Sequence, residues 1–292
     1  MRKQVLLLAA SFLMLGACTK VKTDETNTQS YVLVNFAVNG LKTEVEEITR
    51  SSTNTAELSK YFTTLHYFGY SNNKRIFNGT HTTSDNTDDF GEIAEQIPTG
   101  SYYIGFFGYG EGIGNTYIYG AGESIGDNDY IETSGTEIWY YEDKYCNIDE
   151  TTTNIDVNMT RKTGRITLNI TDAVPDNVSR ISISIGYRNR YRITYGDASV
   201  LSTWGSYTND LDIIDGDVGE FEFNCFPSSS SSVKIDIYDS NDTILDSRSM
   251  SIDVFENRKT IITGELFSNV NSKEFTITIS DAWGEDNIVE LK

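Results

Sequence analysis

The chain has 292 residues, a net charge of -20 and an aromatic content of 12%. So large an acidic excess argues against nucleic acid, and against electrostatic docking on anionic lipid or polyanionic glycan. With only three prolines and twenty-three glycines the composition suits an ordered sheet protein, long enough for one large β-body or two of ordinary size.

At the start, Arg2 and Lys3 form a positive cluster, and Val5 to Leu15 is an apolar run too short to span a bilayer as a mature helix. Leu15-Gly16-Ala17-Cys18 follows. Together these resemble the signal peptide and lipobox of bacterial lipoproteins. The resemblance implies that residues 1–17 are removed and that the Cys18 thiol carries fatty acyl chains such as palmitate. Each buried methylene contributes about 0.8 kcal/mol, so several chains hold a soluble body durably on a membrane. Residues 18–30 are polar and turn-rich, and read as a flexible tether. If Cys18 is lipidated, Cys146 and Cys225 remain, and their spacing leaves open whether they pair. Cys225 alternates with Phe221 and Phe223, which favours a buried free thiol.

Tyr31-Val32-Leu33-Val34-Asn35-Phe36-Ala37-Val38 is a β-rich run ending at Asn39-Gly40. Tyr61 to Tyr70 is an aromatic strand stopped by Ser71-Asn72-Asn73, and Thr80 to Asp89 reads as a polar loop. Ile97-Pro98-Thr99-Gly100 makes a turn into a strand at Tyr102 to Gly108. Gly108 to Asp129 is a glycine-rich connection, and Asn154 to Met159 closes the first half as an alternating strand. Period-two patterning is cleaner beyond it: Ile166, Leu168, Ile170; Ile181, Ile183, Ile185; Val233, Ile235, Ile237; Phe275, Ile277, Ile279. Pro227 to Ser232 reads as a loop. One apolar and one solvated face per strand is the mark of antiparallel sheets packed as a sandwich. The fold expected is all-β, with one body at 31–160 and a second at 161–292.

Motifs for chemistry are weak. Gly122-Glu123-Ser124-Ile125-Gly126 fits a nucleophile elbow, but no helix pattern follows it and both histidines, His66 and His81, precede it. His66 sits in an aromatic strand and is read as packed. The acidic stretches at Asp127 to Asp129 and Asp210 to Glu220 lack an EF-hand register and read as solvated loops. No catalytic set, metal site or cofactor is expected, and the chain reads as non-enzymatic. Clustered aromatics (Tyr102, Tyr103, Tyr109, Tyr117, Tyr119, Trp139, Tyr140, Tyr141) either fill a core or stack on sugars. The second possibility is an alternative reading, a glycan-binding outer-membrane surface lipoprotein with its rings between Tyr102 and Tyr145 turned outward.

The whole mature chain resembles the fimbrillin and fimbrial-anchor lipoproteins of Bacteroidales-type bacteria. The lipobox carries the resemblance, as do the Val32 to Val38 strand with Arg50 after it, and Ile97 to Tyr103. So do Val157-Asn158-Met159-Thr160-Arg161 with Gly164 to Asp172 and on to Val178, and Asn257 to Phe267 continuing through Ile279-Ser280-Asp281-Ala282-Trp283. The family implies two tandem transthyretin-like antiparallel β-sandwich domains. It also implies a fimbrial (pilus) subunit that joins others by β-strand complementation and supports cell adhesion, lipid-anchored in the outer membrane. Host or bacterial surface ligands are the further partners it implies. In polymerising members an arginine-specific protease cuts after the first strand. Carried over, Arg50 is the candidate cleavage site, and Tyr31, Val32, Leu33, Val34, Asn35, Phe36, Ala37 and Val38 form the candidate removable strand. The short segment after Trp283 departs from the longer donor of stalk subunits and favours the anchor or accessory class.

Overall fold

The computed structural model describes residues 30–42, 58–84, 90–110, 116–119, 129–193, 199–267 and 275–279. The described residues are almost all strand, as their period-two patterning requires. The first half contributes β1 (Tyr31–Lys42), β2 (Thr64–Ser71), β3 (Lys74–Thr82), β4 (Glu92–Pro98), β5 (Gly100–Tyr109), β6 (Thr116–Tyr119), β7 (Tyr130–Thr133), β8 (Ile138–Ile148) and β9 (Asn154–Arg161). The second contributes β10 (Gly164–Ile170), β11 (Arg180–Arg188), β12 (Arg190–Arg192), β13 (Ser199–Val200), β14 (Trp204–Asp210), β15 (Ile213–Ile214) and β16 (Asp217–Val218). It continues with β17 (Phe221–Cys225), β18 (Ser228–Tyr238), β19 (Ile244–Val254), β20 (Lys259–Gly264) and β21 (Thr276–Ile279).

Seven strands of the first half run in the order β3-β2-β5-β8-β9-β1-β4. Between β8 and β9 the register covers just Trp139↔Arg161 and Tyr140↔Thr160, so the sheet turns a corner there. The two flanks then face each other. Phe36 of β1 lies 5.5 Å from Phe106 of β5 and 5.8 Å from Phe77 of β3, ring to ring. Val34, Val38, Trp139, Val157 and Met159 complete this core.

The second half repeats the plan with its two flanks as separate sheets, β14-β11-β18-β19 and β17-β10-β20-β21. The pairing senses match strand for strand. β1 is antiparallel to β4 and parallel to β9, and β10 is antiparallel to β17 and parallel to β20. β2-β3, β2-β5 and β5-β8 are antiparallel, as are β11-β14, β11-β18 and β18-β19. Ile181, Ile183 and Ile185 meet Val233, Ile235, Phe223 and Ile262 in the second core, which is where alternation put them.

Four local expectations are corrected. The glycine-rich connection from Gly108 to Asp129 holds β6, which pairs with β7 from Thr116↔Thr133 to Tyr119↔Tyr130. β3 continues through Thr82, so the polar stretch from Thr80 begins as strand; it is an edge strand, where polar residues meet water at little cost. The serine run at 228–232 belongs to β18, paired with β19 across a bulge between Ser228 and Ser231. There a buried Ser231 shares a hydroxyl bond with Ser228, and tertiary pairing overrides local propensity. Asp210 to Glu220 holds the β15-β16 hairpin, turned by Asp215 (φ 53°) and Gly216 (φ 89°).

The halves are also joined by a shared sheet, β13-β12-β7-β6, in which β12 of the second half pairs with β7 of the first. Beneath it, Phe68, Tyr70, Tyr103, Phe107 and Tyr140 pack with Tyr191, Ile193 and Phe226. At the crossing, buried Arg161 meets Glu137 at 2.5 Å and Asn257 at 2.8 Å, over the Trp139 ring at 4.4 Å.

Candidate functional site: the first strand and its neighbours

The eight residues Tyr31 to Val38 form the first part of β1. They lie between two ladders, antiparallel to β4 from Tyr31↔Pro98 to Ala37↔Glu92, and parallel to β9 from Asn35↔Asn154 onward. Alternation sends Val34, Phe36 and Val38 into the core, while Tyr31 and Leu33 remain 62% and 52% exposed. Burying three such side chains at about 1.5–3 kcal/mol each gives β1 an apolar grip of about 5–9 kcal/mol. Among the described strands β4 pairs with β1 alone. Withdrawing β1 therefore strips β4 of its ladder, opens the inner edge of β9 and leaves a slot lined by Phe77, Phe106 and Val157.

Opposite Val34, Glu95 takes an inward position on edge strand β4 and accepts a hydrogen bond from the Tyr67 hydroxyl at 2.8 Å. Burial and this carboxylate push the Tyr67 phenol upward. An inward carboxylate on an edge strand discourages further pairing there, so β4 is a guarded edge. Sequence alternation alone did not reveal Glu95, because a single charge in a strand reads as solvent-facing until its cross-strand partner is known. Alternation announces β9 at Asn154 to Met159, but its pairing with β1 is equally invisible, since parallel pairing here joins segments more than a hundred residues apart.

Cys18, Arg50, the Gly122 to Gly126 motif, Asp127, Asn128 and Trp283 lie outside the described residues. The aromatic cluster divides. Tyr102, Tyr103, Trp139 and Tyr140 are buried, Tyr109 and Tyr141 are partly buried, and Tyr145 stands 80% exposed. Most of the rings that the glycan reading needs on the surface thus fill cores. The Tyr103 and Tyr140 hydroxyls lie 2.7 Å apart, and burial drives both phenols up.

His66 stacks on Phe107 at 5.0 Å and shares hydrogen bonds with Tyr109 Oη at 3.2 Å and Thr80 Oγ1 at 2.6 Å. Burial lowers it to about 4, so it is a neutral packing element at physiological pH. Cys146 and Cys225 are free and buried in different cores. Burial raises their thiols to about 11 and about 12, which holds them protonated and unreactive.

No protein-family model matches the chain, and no curated protein matches it in sequence. In structure it is similar to the fimbrial anchor protein Mfa2 from Porphyromonas gingivalis, with 14% identity, 86% of this chain and 97% of that one covered, and a TM-score of 0.51. It is also similar to a Bacteroides thetaiotaomicron protein described as a candidate polysaccharide-binding protein, at 10% identity, 85% and 97% coverage and a TM-score of 0.53. A candidate adhesin of the same species gives 13% identity, 88% and 98% coverage and a TM-score of 0.50. At such identities the likeness is one of fold: along most of its length the chain carries the all-β architecture of these Bacteroidales fimbrial and adhesin-type proteins.

Proposed function

We propose that this chain is a fimbrial subunit of anchor or accessory type, built as two tandem transthyretin-like sandwiches and held to the outer membrane by lipid on Cys18. It joins other subunits by β-strand complementation and supports cell adhesion without enzymatic activity. The observation that carries this reading is the setting of β1. One strand supplies three fully buried side chains and two ladders, and it connects onward through residues 43–57, the segment that holds Arg50. A body lacking that strand presents an apolar slot and unpaired backbone, and a strand from a neighbour satisfies both. The fold shared with a fimbrial anchor protein supports the same reading at the level of architecture.

Antibody to the folded body should find the protein in outer-membrane fractions and in sheared surface fimbriae. Cys18→Ala should release it from membranes. Recovery of the C18A variant in the membrane pellet at wild-type levels would remove the anchor. Treatment with an arginine-specific protease should leave an anchor subunit monomeric, whereas cleavage after Arg50 followed by ladders on unboiled gels would make it a stalk subunit.

A further inference from the structure

The internal repeat exposes one inequality. In the second half β20 is flanked on one side by β10 and on the other by β21, antiparallel from Thr260↔Ile279 to Thr263↔Thr276. Its counterpart β9 is flanked by β1, but on the other side its register with β8 ends at Tyr140↔Thr160. Among the described residues no strand pairs with β9 on that side between Asn154 and Met159. A groove of about 340 Å³ opens beside this stretch at the corner with β8, lined by Tyr140 to Glu142 of β8, by Asp156, Asn158, Thr160 and Lys162, and by Tyr191 of the second half.

The backbone of β9 is oriented for use there. The Asn35 N–H donates to the Thr153 carbonyl at 2.9 Å, so residues 153, 155 and 157 turn their backbone groups toward β1, and Asn158 turns its own toward the groove. The pairing of Thr160 with Tyr140 on that same side agrees with this phase. Side chains follow the alternation: Val157 and Met159 are buried in the core, and Asn158 faces solvent.

We infer that this side of β9 is a second docking edge, which accepts an extended segment of another polypeptide running antiparallel to β9, with apolar side chains at alternate positions and small polar ones between. The chemistry of the occupant is read from the other half, where the equivalent place is filled by a four-residue strand that follows Phe275. There Phe275 and Ile277 pack on the second core. Main-chain hydrogen bonds supply the affinity, and the alternating side chains set the register. The site is separate from the slot beneath β1 and needs β1 in place, because β1 holds β9 on its inner side.

The test uses the full-length chain with β1 uncut, and as probe a synthetic peptide Glu-Phe-Thr-Ile-Thr-Ile-Ser copying residues 274–280. Amide hydrogen exchange is followed at residues 154–160 and 259–264. At saturating peptide, exchange at Asn158 and its neighbours should slow by about tenfold or more while 259–264 is unchanged. Asn158→Pro removes the N–H on the open side, where an edge strand tolerates proline, and should keep the thermal midpoint yet lose the slowing. No slowing at millimolar peptide, or slowing confined to 259–264 by exchange with β21, overturns the inference. A dimer in sedimentation that N158P abolishes would seat a second copy on the edge, and would overturn its assignment to a different polypeptide. If N158P does not fold, the exchange map of the unsubstituted chain decides. Since β1 is never cut, failure here leaves the strand-complementation reading of β1 untouched.

Discussion

β1 and β10 occupy the same place in the two halves, each between an antiparallel and a parallel neighbour, yet they are embedded differently. β10 is joined to β9 by Lys162 and Thr163 alone, at the crossing where Arg161 binds Glu137 and Asn257 and Arg165 binds Glu222 at 2.5 Å. Lys162 reaches Glu256 at 2.7 Å, and the Thr163 hydroxyl receives the Ile138 N–H. Along its described residues β1 is held by its ladders, by three buried side chains and by the exposed Asn35 amide, which donates to the Thr153 carbonyl at 3.2 Å and to Asn154 Oδ1 at 3.3 Å; the next described residue is Leu58. The same topological position thus gives a structural weld in one half and, in the other, a strand outside that weld, which is what the proposed exchange requires. The difference lies in chain connection and charge networks rather than in sheet geometry.

The largest effect expected from breaking this contrast is at the weld. Arg161→Ala removes the buried guanidinium from Glu137 and Asn257, leaving Glu137 with Arg165 at 3.6 Å, and should cost about 3–5 kcal/mol in urea denaturation, loosening both halves together. Independent unfolding of the two halves in the wild-type chain would contradict this coupling. Core truncation sharpens the comparison: Phe36→Ala in β1 should cost about 3–5 kcal/mol and Leu168→Ala in β10 about 2–5 kcal/mol while the chain is intact. After a cut within residues 43–57, F36A should instead speed loss of β1 from a body that stays folded, whereas L168A should still lower global stability.

A smaller effect comes from pH. Folded His66 stays neutral down to about 4, whereas in the unfolded chain it protonates near its ordinary value of 6.5. The unfolded state therefore binds more protons in this window, and the first half should lose stability as pH falls from about 6.5 toward 4. The second half has no histidine, and its Asp239 carboxylate is held below the usual range by the Thr243 and Asn241 backbone N–H groups. That contribution is kept until the pH falls below the usual carboxylate range. The midpoint of the single urea transition should therefore fall as the pH is lowered from about 6.5 toward 4, and His66→Phe should flatten that fall. Smallest is Tyr67→Phe, which leaves Glu95 without its donor and should cost about 0.5–1.5 kcal/mol by thermal melting.

Much of the sheet was legible in the sequence because burial on one face writes itself as alternation. Ile181, Ile183 and Ile185 pointed inward before any partner was known, and Tyr31 to Val38 announced β1. What alternation cannot carry is pairing across distance. The repeat of one seven-strand plan is invisible because the two halves fill equivalent places with different residues, Phe36 and Trp139 in one core, Ile183 and Phe223 in the other. The serines of β18 hid for the opposite reason, since their strand is made by β19 and not by their own propensity. The shared sheet at the junction was unreadable because β12 and β13 have only three and two residues, too few to show a period.

The claim that β1 is an exchangeable strand is tested most directly by cutting the chain within residues 43–57 and adding excess labelled peptide copying residues 31–42. The label should enter the body one for one, the native β1 fragment should be released, and amide protection of β10 and β11 should be unchanged. A body that unfolds with the cut, or one that stays folded and never takes up the peptide, would contradict it.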